Sequence, residues 1–470
     1  MLPIPFAVGF YQSPSLPTAA QECVNHYVNI PENAALSDAQ LFERAGLTSV
    51  GTAGSSPNRG SVEMAGVGYH VNGGALYSHT TSDVITSLGS IPNTNYVSMA
   101  HNGEKLCIVV PGDSAWVYST ASGLVEITDP DLATPDSVVY KDGYYVFTDT
   151  AGQDWRVSNL NQPGVLNALD FGSAEADPDP IVCGHVAGSE LYICGTRTIQ
   201  PFQNIGGVGF PFQAIYGGTI RKGVIARHSL VNIDGGFAFV GGGLNEKAGI
   251  WAVSGGVPIK LSTDAIDHAI QQYPESENKQ ATGWTYSLDG EQFVAFNFTS
   301  QTFVYQVQAS RKTGRPVWVE FGSGAGSSMG RSRITSVIKL GGRLLAGDTK
   351  SGNIGLIDVD AHSDYGDTYR CTFSTQPFAA DGLPYLVPTI EPTYEAGVGS
   401  STDDPLVELD WSDDGRTWHT GLSRGLGKQG EYTRRSIFRR LGRVPRFRMF
   451  RFHVSDSVKR RVLKLEATIG

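Results

Sequence analysis

The sequence predicts an all-β protein: a β-propeller of six or seven blades followed by a C-terminal antiparallel β-sandwich-like domain. Three observations predict it. The 470 residues include 57 glycines and 10% aromatics but only 17% charged residues; glycine serves tight turns, while aromatic and β-branched side chains fill sheet faces. An apolar strand, a glycine-containing turn and a second strand recur through the first three quarters of the chain. Beyond about residue 365, apolar and polar residues alternate with period two, as half-buried antiparallel strands require.

Length alone argues for two or three domains, because a single core does not grow to this size. Residues 1–50 are read as an N-terminal arm with one short helix, opened by Ser37, running through Arg44 and halted by Gly46. Residues 51–364 are read as the propeller. Its turns fall near 72, 102, 142, 187, 234, 289 and 341, several of them Asn-Gly or Asp-Gly, whose positive-φ preference suits the two-residue hairpin. The gaps are 30, 40, 45, 47, 55 and 52 residues, near the roughly 40–50 residues of a four-stranded blade. A second helix is predicted over Asp264–Tyr273, capped by Ser262 or Thr263 and ended by Pro274. Residues 365–470 form the last domain, with Val407, Leu409 and Trp411 on one face of a strand and Leu463, Leu465, Ala467 and Ile469 on one face of another.

The net charge of −10 conceals an asymmetry: residues 411–470 hold 15 Lys and Arg against 5 Asp and Glu, leaving 21 against 41 in the rest. A basic end on an acidic body suits head-to-tail docking. No apolar run approaches the ~20 residues that span a bilayer, and the first residues lack the basic and apolar regions of a signal peptide. Both point to a soluble protein made in the cytoplasm, without membrane insertion. The five cysteines are odd in number and none are paired at Cys-x-x-Cys spacing; the ten histidines lack ligand spacing. No metal site, cofactor or catalytic residue is therefore predicted.

Two motifs carry local chemistry. Ser412-Asp-Asp-Gly-Arg-Thr-Trp418 fits the Asp-box pattern of sialidase-like propellers. Ser412 and Asp414 are expected to hold turn amides, Gly415 to supply positive φ, and Thr417 and Trp418 to start the returning strand. It occurs once and reads as a hairpin staple. The second is a basic strip with interleaved aromatics. Lys428, Arg434, Arg435, Arg439, Arg440 and Arg443 are read as a protein-docking surface, since Arg pairs bidentately with carboxylates and the body of the chain is acidic. Phosphate contact and plain solvation are the competing readings. Leu422–Gln429 is not a phosphate loop, because its first glycine and its Ser/Thr are missing.

Trp411–Trp418, Leu426-Gly-Lys-Gln-Gly-Glu-Tyr-Thr-Arg434, Arg440-Leu-Gly-Arg443 and Phe450-Arg-Phe-His-Val-Ser-Asp456 resemble the C-terminal signature of podovirus packaged-DNA stabilisation proteins, the tail-hub or nozzle family. Glu22–Asn29 and Ile250–Asp267 are similar to other segments of that family. The resemblance implies a homohexameric ring in the virion tail, beneath the portal and its adaptor. The ring would surround the DNA exit channel, hold packaged DNA without sequence-specific binding, and support a tail needle, fibres or spikes. It implies a structural subunit and no enzyme. The rivals are a propeller glycosidase or depolymerase acting on host surface glycan, which needs paired carboxylates that no spacing selects, and a monomeric carbohydrate- or protein-binding propeller.

Overall fold

The computed structural model describes residues 2–470 apart from 7–8, 13–19, 34–35, 150–151, 175–176, 207–208, 327–328 and 380–382. Seven sheets follow one another round a ring. Blade 1 runs from Asn58–Met64 to Ile85–Ser90, blade 2 from Ser98–His101 to Gly123–Glu126, and blade 3 from Pro135–Lys141 to Gln162–Ser173. Blade 4 spans Ile181–Ala187 to Phe212–Ala214, blade 5 Gly223–Val224 to Val257–Lys260, and blade 6 Thr282–Leu288 to Trp318–Glu320. Blade 7 takes three strands from Ile334–Leu340, Arg343–Asp348 and Asn353–Asp358, and its fourth from far upstream: Gly46–Thr52 pairs antiparallel with Asn353–Asp358. This shared blade closes the ring between the two ends of the propeller sequence.

The predicted turns sit where chain geometry demands them. Asp142 (φ 49°) and Gly143 (φ 92°) turn blade 3, and Asp289 (φ 51°) and Gly290 (φ 79°) turn blade 6, the paired left-handed residues of a type I′ hairpin. The 30-residue first gap has a simple cause. The turn at Asn72–Gly73 joins the second and third strands of blade 1, whose first hairpin turns at Ala65–Gly66.

Successive blades are stitched by side chains. Ser98 Oγ donates to Val138 O (3.0 Å), Gly184 N to Ser137 Oγ (3.0 Å) and Asn297 Nδ2 to Ile334 O (2.8 Å). At the closing seam Ser336 Oγ meets Asn58 Oδ1 (2.8 Å) and Ser61 Oγ (2.9 Å). The helix Asp264–Ile270 forms as predicted, with Thr263 accepting from Ile266 N, and buries Ala265, Ile266 and Ile270 between blades 5 and 6. It stops short of Tyr273, and a separate turn of helix, Glu275–Asn278, follows Pro274.

The helix predicted over Ser37–Arg44 does not form. Gln40–Glu43 is a strand, paired antiparallel with His26–Asn29 and, through Leu41, with Val462. A helix of eight residues is marginal on its own, whereas the strand satisfies its backbone on both sides and buries Leu41 completely. Ser37, read as a cap, instead donates to Leu463 O (2.9 Å).

The last quarter of the chain is a two-layer sandwich. One sheet orders Phe438–Arg439, Thr389–Tyr394, Val462–Thr468, Gln40–Glu43 and His26–Asn29; the other contains Cys371–Ser374, Phe447–Val454, Leu406–Ser412 and His419–Gly425. Val407, Leu409, Phe450, Phe452, Leu465 and Ala467 fill the space between them. That core continues without interruption into Phe293, Val304 and Val319 of blade 6 and Ala346 of blade 7. The backbone is continuous as well. Cys23–Val24 lies between Trp318–Glu320 of blade 6 and Cys371–Ser374 of the sandwich, so ten strands form one sheet from the inner strand of blade 6 to the far edge of the sandwich.

Candidate functional site: the buried junction and the basic strip

The residues that join propeller to sandwich are charged and buried. Arg44 and Asp364, 3% and 2% exposed, form a two-pronged ion pair at 2.7 and 3.0 Å. Arg44 Nε also donates to Asn25 Oδ1 (2.8 Å) and Nη2 to Gly322 O (3.1 Å), while Asn25 Nδ2 donates to Arg370 O (2.7 Å). Arg460, fully buried in the sandwich, donates to Glu43 Oε2 (3.1 Å), Tyr369 O (2.8 Å) and His362 O (2.7 Å). Between the two guanidiniums lies the ring of Tyr369, with Arg44 at 3.9 Å and Arg460 at 4.4 Å from its centre. A ring between two cations in a desolvated site gains from both faces, and each charge retains a carboxylate, so the burial penalty is met.

The electrostatics follow the geometry. Burial pulls the Glu43 carboxyl upward, but hydrogen bonding and charge from His362 and Arg460 carry it below its ordinary range. Burial lowers His26 to about 4, against the opposing pull of Glu43, and its Nε2 lies 3.1 Å from Arg460 O. These residues were not singled out from the sequence. Arg44 reads only as the last residue of a short helix, and Arg460 carries no reading of its own; neither position has a local signal of burial, Arg44 standing between Glu43 and Ala45.

The Asp-box turn is a compact staple. Ser412 Oγ accepts from Gly415 N (2.9 Å), and Asp414 Oδ1 accepts from Arg416 N and Thr417 N (both 2.7 Å). These two amides hold the Asp414 carboxyl well below the usual range. Gly415 has φ 74°, and Trp418 lies under the Arg451 guanidinium at 4.0 Å.

The basic strip occupies the outer side of the sandwich. Lys428, Arg434, Arg435, Arg439, Arg440 and Arg443 are all exposed. Arg435 is nevertheless held by Glu391 (2.7 and 2.6 Å), and Arg434 lies 3.6 Å from Asp404. Lys428, Arg439, Arg440 and Arg443 form no ion pair among the described residues. Arg448 belongs to the fold, clamped by Asp413 (2.6 and 2.7 Å) and buried.

A cavity of about 750 Å³ lies where blades 3, 4 and 5 meet the helical connection to blade 6. Its carboxylates are matched by cations: Asp136 with Arg227 at 2.6 Å, Glu246 with Lys222, and Glu275 with Lys279 at 2.9 Å. The Glu246 and Glu275 carboxyls are held below their ordinary values, first by hydrogen bonds from those lysines. A general acid needs the reverse.

Two family models match this architecture. Residues 2–362 match the family model described as bacteriophage P22 Gp10, beta-propeller, and residues 371–470 that described as bacteriophage P22 Gp10, beta-sandwich. No curated protein matches. Among solved structures, the N-terminal domain of Nup159 aligns at a TM-score of 0.42 and 8% identity, over 71% of this chain and 98% of that one. The extracellular domain of the putative one-component system BT4673 from B. thetaiotaomicron aligns at 0.42 and 9%, over 78% and 46%. With both of its domains matched, the chain belongs to the bacteriophage P22 Gp10 family of podovirus tail-hub and stabilisation proteins, structural components of the virion tail.

Proposed function

We propose that the chain is one subunit of a hexameric tail ring that sits below the portal and its adaptor, surrounds the DNA exit channel and retains packaged DNA, with no reaction of its own. The observation that carries this reading is the junction. One sheet runs through propeller and sandwich, and the Arg44–Tyr369–Arg460 stack sits beside it, so the two domains behave as one stiff body. A collar around a pressurised genome needs stiffness of this kind. The acidic body repels phosphate, which favours sliding over sticking. The ion-paired carboxylates of the 750 Å³ cavity weigh against the glycosidase reading. In the ring, the exposed Arg439, Arg440 and Arg443 with Lys428, Arg434 and Arg435 dock acidic protein, and needle, fibres or spikes attach to the assembled hub. The subunit is made in the host cytoplasm.

Light scattering of the purified chain mixed with portal–adaptor complex tests this. Assembly onto the complex is expected, and the Arg439→Glu/Arg440→Glu double variant should fold but fail to assemble. A chain that ignores the complex refutes the proposal.

A further inference from the structure

The outer strand of blade 3 is unlike its counterparts. It spans 12 residues, Gln162–Ser173, where the outer strands of the other six blades span 3 to 7 residues. Its register against Asp154–Asn159 jumps: Leu166 faces Ser158 and Phe171 faces Arg156, so residues 167–170 stand opposite Val157 alone. The surplus forms a knob, tied by Leu169 N donating to Asn167 Oδ1 (3.1 Å). Bulges commonly blunt an exposed edge, helped by Lys or Pro. Here the knob carries Leu169, 79% exposed, with Phe171 46% exposed beside it. Exposed apolar side chains clustered on a free edge mark a contact surface.

The charge around the knob is lopsided. Residues 128–180 contain 10 Asp and Glu against 2 Lys and Arg, with two of those carboxylates, Asp136 and Asp179, buried in the fold, whereas residues 424–446 of the sandwich contain 8 Lys and Arg against 1 Glu. The sandwich strip also has an exposed apolar neighbour, Leu386, paired in register with Arg443. The two patches lie on opposite rims. The sandwich extends outward from blade 6 through Cys23–Val24, and the strand Gly46–Thr52 of blade 7 pairs on with Ser363–Asp364. Blade 3 stands half a turn round the seven-bladed ring from that seam. Complementary patches on opposite sides of one subunit are what a heterologous, ring-closing contact requires.

We infer that the blade 3 knob of one subunit docks on the Arg439–Arg443 strip of a second copy of this chain. The inference rests on the ring reading above and adds to it the two surfaces that meet. Asp154 and Asp170 flank Leu169 and Phe171 and face the unpaired arginines, and the apolar residues are sealed against Leu386.

The test uses the full chain and portal–adaptor complex, followed by sedimentation and electron microscopy. The triple change of the exposed Asp154→Lys and Leu169→Ser with the half-buried Asp170→Lys should leave thermal unfolding unaltered and cut ring formation at least tenfold. In a second experiment, Leu169→Cys and Arg443→Cys in one chain should give subunit-to-subunit cross-links under mild oxidation, while either change alone should not; the native cysteines are all buried. Rings formed equally well by the triple variant overturn the contact, as do cross-links that run to adaptor or appendage proteins. A wild-type chain that stays monomeric beside the complex overturns the tail-ring reading, and the contact with it.

Discussion

Asp364→Ala removes the carboxylate that pairs with the Arg44 guanidinium, leaving a 3%-exposed cation with Asn25 and backbone carbonyls among its partners. Breaking a buried pair on one side costs about 3–5 kcal/mol. Unfolding entropy near 2.1 cal/mol/K per residue gives about 1 kcal/mol/K for a chain of this length, so a cooperative transition should fall by about 4 °C. Calorimetry reads that shift. The double variant Arg44→Met/Asp364→Leu should be less destabilised than Asp364→Ala alone, because it removes the orphaned charge as well. Limited proteolysis should show the single variant newly cleaved near residues 360–370, where propeller and sandwich separate. A fall of under about 1 kcal/mol, as for an exposed pair, with no new cleavage would refute the claim that this ion pair locks the domains together.

Acid should destabilise the fold through His26. Its folded value of about 4 lies below the ordinary 6.5, so its contribution is complete above pH 6.5 and is lost as pH falls toward 4, by up to roughly 3 kcal/mol; urea midpoints at pH 7 and 4.5 measure it, and a rise on acidification contradicts it. Glu320 acts in the opposite sense: burial raises it to about 7, with Gln301 opposing and Glu22 adding to the rise. It favours folding below pH 4.5 and ceases to do so as pH climbs through 7, so Glu320→Gln should gain stability at pH 8 and none at pH 4, as paired denaturation curves will show. Gly352→Ala would place a methyl 1.9 Å from Gly54 O, at the seam where the upstream strand completes blade 7; amide exchange across Gly46–Thr52 should accelerate, and unchanged protection would count against the seam. Gly415→Val, forcing a branched side chain to φ 74°, should cost roughly 1–2 kcal/mol, read from thermal unfolding, and expose the Arg416 and Thr417 amides to exchange.

What was legible in the sequence was local. Asp142-Gly143 and Asp289-Gly290 announce hairpins because the left-handed backbone is written in the residues themselves. Val407 and Leu409 announce a sandwich strand because burial alternates with the pleat. What was not legible depended on distant partners. Gln40–Glu43 has a helix-like composition and becomes a strand only because Val462 and His26–Asn29 lie on either side. Cys23–Val24 is two residues long, too short for any periodic signal, yet it links two domains. The candidate site divides the same way. The arginine strip was visible as composition, but the sequence did not distinguish Arg435, spent on Glu391, or Arg448, spent on Asp413, from Arg439 and Arg440, which remain available. Tyr369 between two guanidiniums was invisible, since its partners are 325 and 91 residues away.

The early strands have a consequence for biogenesis. Residues 23–52 leave the ribosome some 300 residues or more before their partners, 353–358, 371–374 and 462. Such distant pairings are slow to form. Until those partners have been made, the nascent chain must keep Cys23–Val24, Leu41 and Gly46–Thr52 without them, and these strands are then free to associate with other chains. Heat-shock chaperones that bind extended apolar segments should raise the yield of native subunit more than they raise that of a propeller closed by adjacent strands.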